Sequence, residues 1–181
     1  DMLPKAAQSP LARARTRHSR PSMGVVLLHF GADRRWPGAA QHTIRFGGRY
    51  REALRDVFKR ARVPDDPPIY LHRPTATDPG LAPEGCDAFY ALVPVPTLRA
   101  GIDWREAGPR MRDRIVATLD ATLLPGLAGA IRAERLATPA DFAERYLSVD
   151  GAGFSLAPDF TQSAWFRFHN RGEGVSGLYV V

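Results

Sequence analysis

The chain has 181 residues, 44% of them hydrophobic and 24% charged, with a net charge of +6 and a pI near 10.1. That length suits one domain with a sizeable core, and no apolar run approaches the roughly 20 residues of a membrane-spanning helix. The lone cysteine, Cys86, leaves no internal disulfide and no multi-cysteine metal site, while the basic balance admits nucleic acid, acidic ligands or anionic lipid as partners.

Residues 1–21 form a lead-in rich in Pro, Ala, Ser and Arg. Within it, LARARTRHSR (residues 11–20) holds four arginines and His18. It reads either as an anion-binding arm or as a solvated face. No aromatic residue interleaves with the arginines, which argues against nucleic acid. MGVVLLHF (residues 23–30) is a continuous apolar run that predicts a strand covered on both faces, with His29 as a core histidine. His42-Thr43-Ile44-Arg45-Phe46 alternates as a half-exposed strand and stops at Gly47-Gly48. Residues 50–61 predict a helix with Leu54, Val57, Phe58 and Ala61 on its buried stripe and an Asp56–Arg60 pair on its wet side.

Ile69-Tyr70-Leu71 predicts a short strand and residues 87–95 a longer one. Between them lies a stiff polar loop with three prolines, Thr75, Thr77 and Asp78. A rigid loop held by two strands is the usual setting of a functional segment. Cys86, at the start of the second strand, reads as a small core residue. Asp103 caps a first turn at 104–107, and Gly108-Pro109 restarts or begins the main helix, whose stripe is Met111, Ile115, Leu119 and Leu123. IRAERL (residues 131–136) predicts a strand. Thr138-Pro139 opens a helix through residue 147, and Gly151-Ala152-Gly153 reads as a flexible hinge. Residues 154–170 are dense in aromatics, Phe154, Phe160, Trp165, Phe166 and Phe168, either core filler or the lining of a site for a flat or apolar ligand.

No nucleophile elbow, paired-histidine helix or metal-ligand cluster occurs. His72, Arg73 and Asp78 either bind an anion or pair within the loop. On composition and spacing alone the chain is an α/β or α+β domain without an assigned chemistry.

Motifs in order carry more. Leu71-His72-Arg73-Pro74-Thr75-Ala76-Thr77-Asp78-Pro79 with Ala82-Pro83-Glu84-Gly85 resembles the bacterial-type phytoene desaturases, the FAD-dependent carotenoid dehydrogenases of the flavin amine-oxidase-like superfamily. Ser22-Met23-Gly24, His29-Phe30-Gly31, Gly101-Ile102-Asp103-Trp104, Leu124-Pro125-Gly126-Leu127, Thr138-Pro139-Ala140-Asp141-Phe142, Gly151-Ala152-Gly153-Phe154-Ser155 and Thr161-Gln162-Ser163-Ala164 are similar in sequence and spacing.

The resemblance implies the α+β substrate domain (residues 22–150) of a two-domain α/β FAD oxidoreductase, with a mixed sheet and packed helices. Residues 151–181 would return to a flavin domain. It implies dehydrogenation of phytoene toward neurosporene or lycopene, with FAD as hydride acceptor in the full-length protein. The glycine-rich pyrophosphate motif is missing from these residues, so the excerpt alone is expected not to hold FAD and to be inactive. Opening on Asp1 and closing on Gly177-Leu178-Tyr179-Val180-Val181, which lead into the family's second flavin motif, it reads as an excerpt of a longer chain.

Under the resemblance, Phe154, Phe160, Trp165 and Phe166 become candidates for substrate lining. His72, Arg73, Thr75, Asp78 and Gln162 become candidates for shaping the loop or contacting flavin. No metal is implied. The partners implied are a hydrophobic polyene and a membrane surface reached by arginines, with no nucleic acid and a homo-oligomer admitted. The location implied is cytoplasmic and peripheral to the membrane. The competing readings are a related carotenoid oxidoreductase acting on another polyene and a non-catalytic piece that binds apolar ligands or membranes.

Overall fold

The structure is a computed structural model and describes residues 9–163, 170–172 and 175–179. The described residues fall into two compact units, divided at 22/23 and at 153/154.

The first unit joins the two ends of the chain. Helix α1 (Pro10–His18) starts on a proline, whose missing N–H costs nothing there. The segment after it pairs with the residues after 153. Ser22 N–H donates to Ser155 O at 2.8 Å, Ala157 N–H to Arg20 O at 2.8 Å, and Phe154 N–H to the Ser22 hydroxyl at 3.0 Å. Further on, Gly172 N–H donates to Leu178 O across a turn with Gly177 at φ +79°, and Arg171 bridges Tyr179. A strand is expected from residue 178 onward. The described residues give one bridge there, and Val180 and Val181 lie outside them.

The second unit is a five-stranded sheet, β1 (Gly24–Ala32), β2 (His42–Arg45), β3 (Ile69–His72), β4 (Asp87–Val95) and β5 (Ile131–Ala137), in the order β2-β3-β4-β1-β5. Every pairing is antiparallel, which corrects the expected mixed sheet. The physical reason is placement. β5 runs parallel to β4, as a long helical crossover dictates, but β1 lies between them and pairs antiparallel with both.

One face of the sheet is the core. Val26, Leu28 and Phe30 of β1, Leu71 of β3 and Phe89, Ala91 and Val93 of β4 are buried there. Against them packs α3 (Trp104–Thr122), through Met111, Ile115 and Leu119, four residues apart and therefore on one side of the helix. Asp103 caps it by accepting from Arg105 N–H at 2.9 Å. A restart at Gly108-Pro109 is expected, yet α3 runs through Pro109 unbroken. Pro109 is exposed and removes one rung on the wet side, while buried Gly108 lets Thr138 approach. α4 (Leu127–Ala130) adds Leu127 and Ala130 to the core, and α5 (Pro139–Tyr146) starts on a complete capping box of Thr138 and Asp141.

Three further expectations are corrected. α2 (Tyr50–Arg55) gives way to a π-turn over Asp56–Arg60. The wider turn keeps Ala53 and Val57 buried and turns Phe58 outward, and it buries Asp56 on Arg60 and Arg62 rather than leaving it wet. The 151–153 segment is no hinge. Gly151, at φ +67°, and Gly153 are closely packed: a Cβ would stand 2.2 Å from Pro139 O at the first and 2.7 Å from Val25 at the second. Cys86 is half-buried rather than core.

Candidate functional site

The other face of the sheet is not closed. Strand alternation sends Leu27 and His29 of β1, Tyr90 and Leu92 of β4, Tyr70 and His72 of β3, and His42 and Ile44 of β2 to this side, and none of them is fully buried. His29 is exposed, which corrects its reading as a core histidine: continuous burial holds only where Val25 lies against Gly153, and β1 alternates beyond it.

The pairing register sorts these side chains into two rows that cross the strands. One row is Arg135–His29–Tyr90–His72–His42, each opposite the next on the adjoining strand. The neighbouring row is Ala137–Leu27–Leu92–Tyr70–Ile44. Each spans four interstrand gaps, about 19 Å at the usual ~4.8 Å spacing.

In the first row the rings touch in sequence. Centroids lie 5.6 Å apart for His29 and Tyr90, 4.9 Å for Tyr90 and His72, and 4.7 Å for the stacked His72 and His42. Tyr70 connects the rows: its hydroxyl shares a 2.7 Å hydrogen bond with His42 Nδ1, and its ring lies 5.8 Å from that of Tyr90.

Two of the imidazoles on this surface are held toward the neutral form. Burial, then the neighbouring His42, pushes the His72 pKa down; burial, then Arg135, does the same for His29. His72 Nδ1 is buried and has no hydrogen-bond partner among the described residues. Burial, then the Tyr90 phenol, pushes the Tyr70 pKa up, which holds the Tyr70 hydroxyl protonated. Beside Arg135 at one end, the face is a plate of rings next to a strip of aliphatic carbon, suited to a flat or extended apolar ligand.

These shifts fix a pH dependence. The unfolded chain binds more protons at His29 and His72 than the folded one, so stability rises with pH. Their contribution is complete above the ordinary value of 6.5 and is lost as pH falls through and below it. Thermal unfolding between pH 8 and pH 5 is expected to show the midpoint falling on the acid side. His72→Phe is expected to flatten that fall.

The loop after β3 has a different task. Asp87, fully buried, accepts from Trp36 N–H at 2.9 Å, from Arg73 Nε at 3.0 Å and Nη2 at 3.1 Å, and from the Thr75 hydroxyl at 2.8 Å. Burial alone would raise its pKa; these donors outweigh burial and hold the carboxyl below the usual range. Arg73 Nη1 also donates to Ala39 O at 3.0 Å. Arg73 therefore pairs with Asp87 across the sheet edge and not with Asp78, which caps a 3₁₀ turn by accepting from Gly80 N–H at 2.9 Å.

The structure thus separates the loop candidates. His72 lies in the ring row, Arg73 and Thr75 lie in the buried network, and Asp78 lies on the exposed turn. Gln162, in the other unit, is tied to backbone: its amide oxygen accepts from Arg20 N–H at 2.5 Å, and its amide nitrogen donates to Arg20 O and Ala157 O, both at 3.1 Å. Phe154 and Phe160 are 50% and 85% exposed. Trp165 and Phe166 lie outside the described residues, and Leu178 and Tyr179 belong to the turn after Gly177. Sequence reasoning missed Tyr70, Tyr90 and His42 as site residues. Their signal was the phase of alternation in IYLH, DAFYALVPV and HTIR, combined with a register that only the paired strands reveal.

A flavin dinucleotide would need unoccupied N–H donors for its pyrophosphate. The starts of α3 and α5 are already taken by the Asp103 and Asp141 carboxylates, which would repel it. Neither of these two helix starts fits that group.

No family model matches the chain. Curated relatives do. It is 45% identical to the phytoene desaturase (lycopene-forming) of Pseudescherichia vulneris over 88% of this chain and 33% of the relative. It is 42% identical to that of a Paracoccus species over 100% of this chain and 36% of the relative. It is 43% identical to the phytoene desaturase (neurosporene-forming) of Rhodobacter capsulatus over 90% of this chain and 32% of the relative. The chain spans about a third of the length of these relatives, and over most of its own length it is a homologue of the phytoene desaturases.

Proposed function

We propose that the protein acts in carotenoid desaturation as an oxidoreductase on CH–CH bonds of phytoene, and that this chain supplies a polyene-binding surface. The observation that carries the reading is the identity to named phytoene desaturases over nearly the whole chain.

The open sheet face supports it. A long hydrocarbon has no polar handle, so it must be held by apolar and π surface. The row of His29, Tyr90, His72 and His42 beside the row of Leu27, Leu92, Tyr70 and Ile44 offers such a surface. The part of this chain is to bind and orient the extended chain and to keep water from one side of it. FAD would supply the hydride acceptor for such a reaction.

Supplying phytoene in liposomes to the intact protein with FAD tests the reading. Products with extended conjugation, seen as new visible absorption bands and identified by mass, are the expected result. Phytoene left unchanged while another polyene is converted would overturn the assignment of substrate.

A further inference from the structure

The two ends of the open sheet face are unlike. The ring row runs from Arg135 on β5 to His42 on β2, the two edge strands of the sheet. At the β2 end the polar atoms satisfy each other, because His42 Nδ1 and the Tyr70 hydroxyl share a 2.7 Å hydrogen bond. At the β5 end stands Arg135, an exposed cation with no acidic partner among the described residues.

The other cations about β5 are neutralised. Arg132 pairs with Asp33 at 2.5 Å, and Arg112 of α3 pairs with Glu134 at 2.6 Å. Glu134 lies opposite Phe30, on the core side of the sheet, so Arg135 falls on the open side, opposite His29. Burial, and then the charge of Arg135, lowers the His29 pKa, as expected for a guanidinium beside that ring. An arginine presents a planar fork of donors that matches the two oxygens of a carboxylate. Because Arg135 is exposed, a carboxylate can meet it without giving up most of its water. From there the rings of His29, Tyr90 and His72, with Leu27 and Leu92 beside them, continue across the strands as a bed for a flat apolar chain.

We infer that the open face binds a conjugated polyene ending in a carboxylate, with the carboxylate on Arg135 and the chain running over His29, Tyr90 and His72 toward β2. This rests on the reading that the face holds an extended apolar chain, and it widens the ligand class from hydrocarbons to polyene acids. It also sets a direction. A hydrocarbon with like ends meets the row in either sense, whereas an acid meets Arg135 with one end only.

Titration of the intact protein with cis-parinaric acid, a conjugated acid whose fluorescence rises in apolar surroundings, tests the inference. Methyl parinarate carries the same chain without the charge. Both are expected to bind saturably. At the strength of one exposed ion pair, Arg135→Gln is expected to weaken the acid about fivefold and to leave the ester within about twofold. Arg135→Glu is expected to weaken the acid further. Arg105→Gln, exposed on α3 against the other face, is expected to bind the acid as the unchanged protein does. Tyr90→Ala is expected to weaken acid and ester alike. Undiminished binding of the acid to Arg135→Gln, with the ester still bound, would overturn the inference and leave the hydrocarbon reading in place. Stearate displacing the acid at equal concentration would overturn the selection of a conjugated chain. Binding of neither acid nor ester would overturn the inference together with the reading of the face on which it rests.

Discussion

Asp87→Ala is expected to destabilise the protein by about 3–5 kcal/mol, the range for removing one partner of a buried ion pair. The carboxylate is fully buried and receives four hydrogen bonds, from Trp36 N–H, two Arg73 nitrogens and the Thr75 hydroxyl. Removing it leaves the Arg73 guanidinium, itself only 4% exposed as a residue, as an uncompensated buried charge. It also strands the Thr75 hydroxyl and the Trp36 N–H. For a chain of this size the melting midpoint is expected to drop by roughly 6–20 °C.

The mechanism is separable from simple loss of packing. Removing both charges with Asp87→Leu and Arg73→Met is expected to recover a large part of the loss, because no lone charge is then left inside. Asp78→Ala in the same loop removes only an exposed turn cap and is expected to cost under about 1 kcal/mol. A loss as large as that of Asp87→Ala would mean that the loop is held by its turns and not by the buried network.

The second large effect falls on activity. Tyr90→Ala is expected to lower kcat/KM for phytoene by at least about tenfold, with a stability loss below about 2 kcal/mol. Tyr90 is the centre of the open face: its ring lies 5.6 Å from His29, 4.9 Å from His72 and 5.8 Å from Tyr70. A ligand lying across the rows would meet it in any register. One aromatic contact of about 0.5–1.5 kcal/mol, together with the ring area that the ligand covers at about 25 cal/mol per Å², accounts for a tenfold change. Tyr90→Phe keeps the ring and is expected to stay within about threefold of the unchanged protein. If Tyr90→Ala lost stability and activity in step, with KM unchanged, Tyr90 would be packing and not site.

Much of this arrangement was legible in the sequence. The helix start at Thr138-Pro139, the Asp103 cap, the Met111–Ile115–Leu119 stripe and all five strands follow from local chemistry, and the structure has them. Three features were not local. The π-turn that exposes Phe58 is accompanied by Arg62 joining Arg60 on a buried Asp56; the spacing encodes the Asp56–Arg60 pair but not the third member or the burial. Gly151 reads as freedom, while its real task is close approach to Pro139, a contact made only after folding. The two rows on the open face exist because β1 lies between β4 and β5 and fixes the register of both. Alternation reveals which residues share a face, and only the strand order reveals which ones meet.

The loop that carried the family resemblance divides in the same way. Its stiffness was legible from Pro74, Pro79 and Pro83. The partner of Arg73 was not, because Asp87 lies 14 residues away and the two meet only when β3 and β4 pair.

The central claim is that a polyene lies on the open face of the sheet, and a photo-crosslink from its centre tests this most directly. With p-benzoylphenylalanine at position 90 of the intact protein, irradiation in the presence of phytoene is expected to give a covalent adduct of protein plus phytoene mass. The same group at Glu144, exposed on α5, is expected to give none. Adducts of equal yield at both positions, or none at position 90 while the protein still converts phytoene, would contradict the claim.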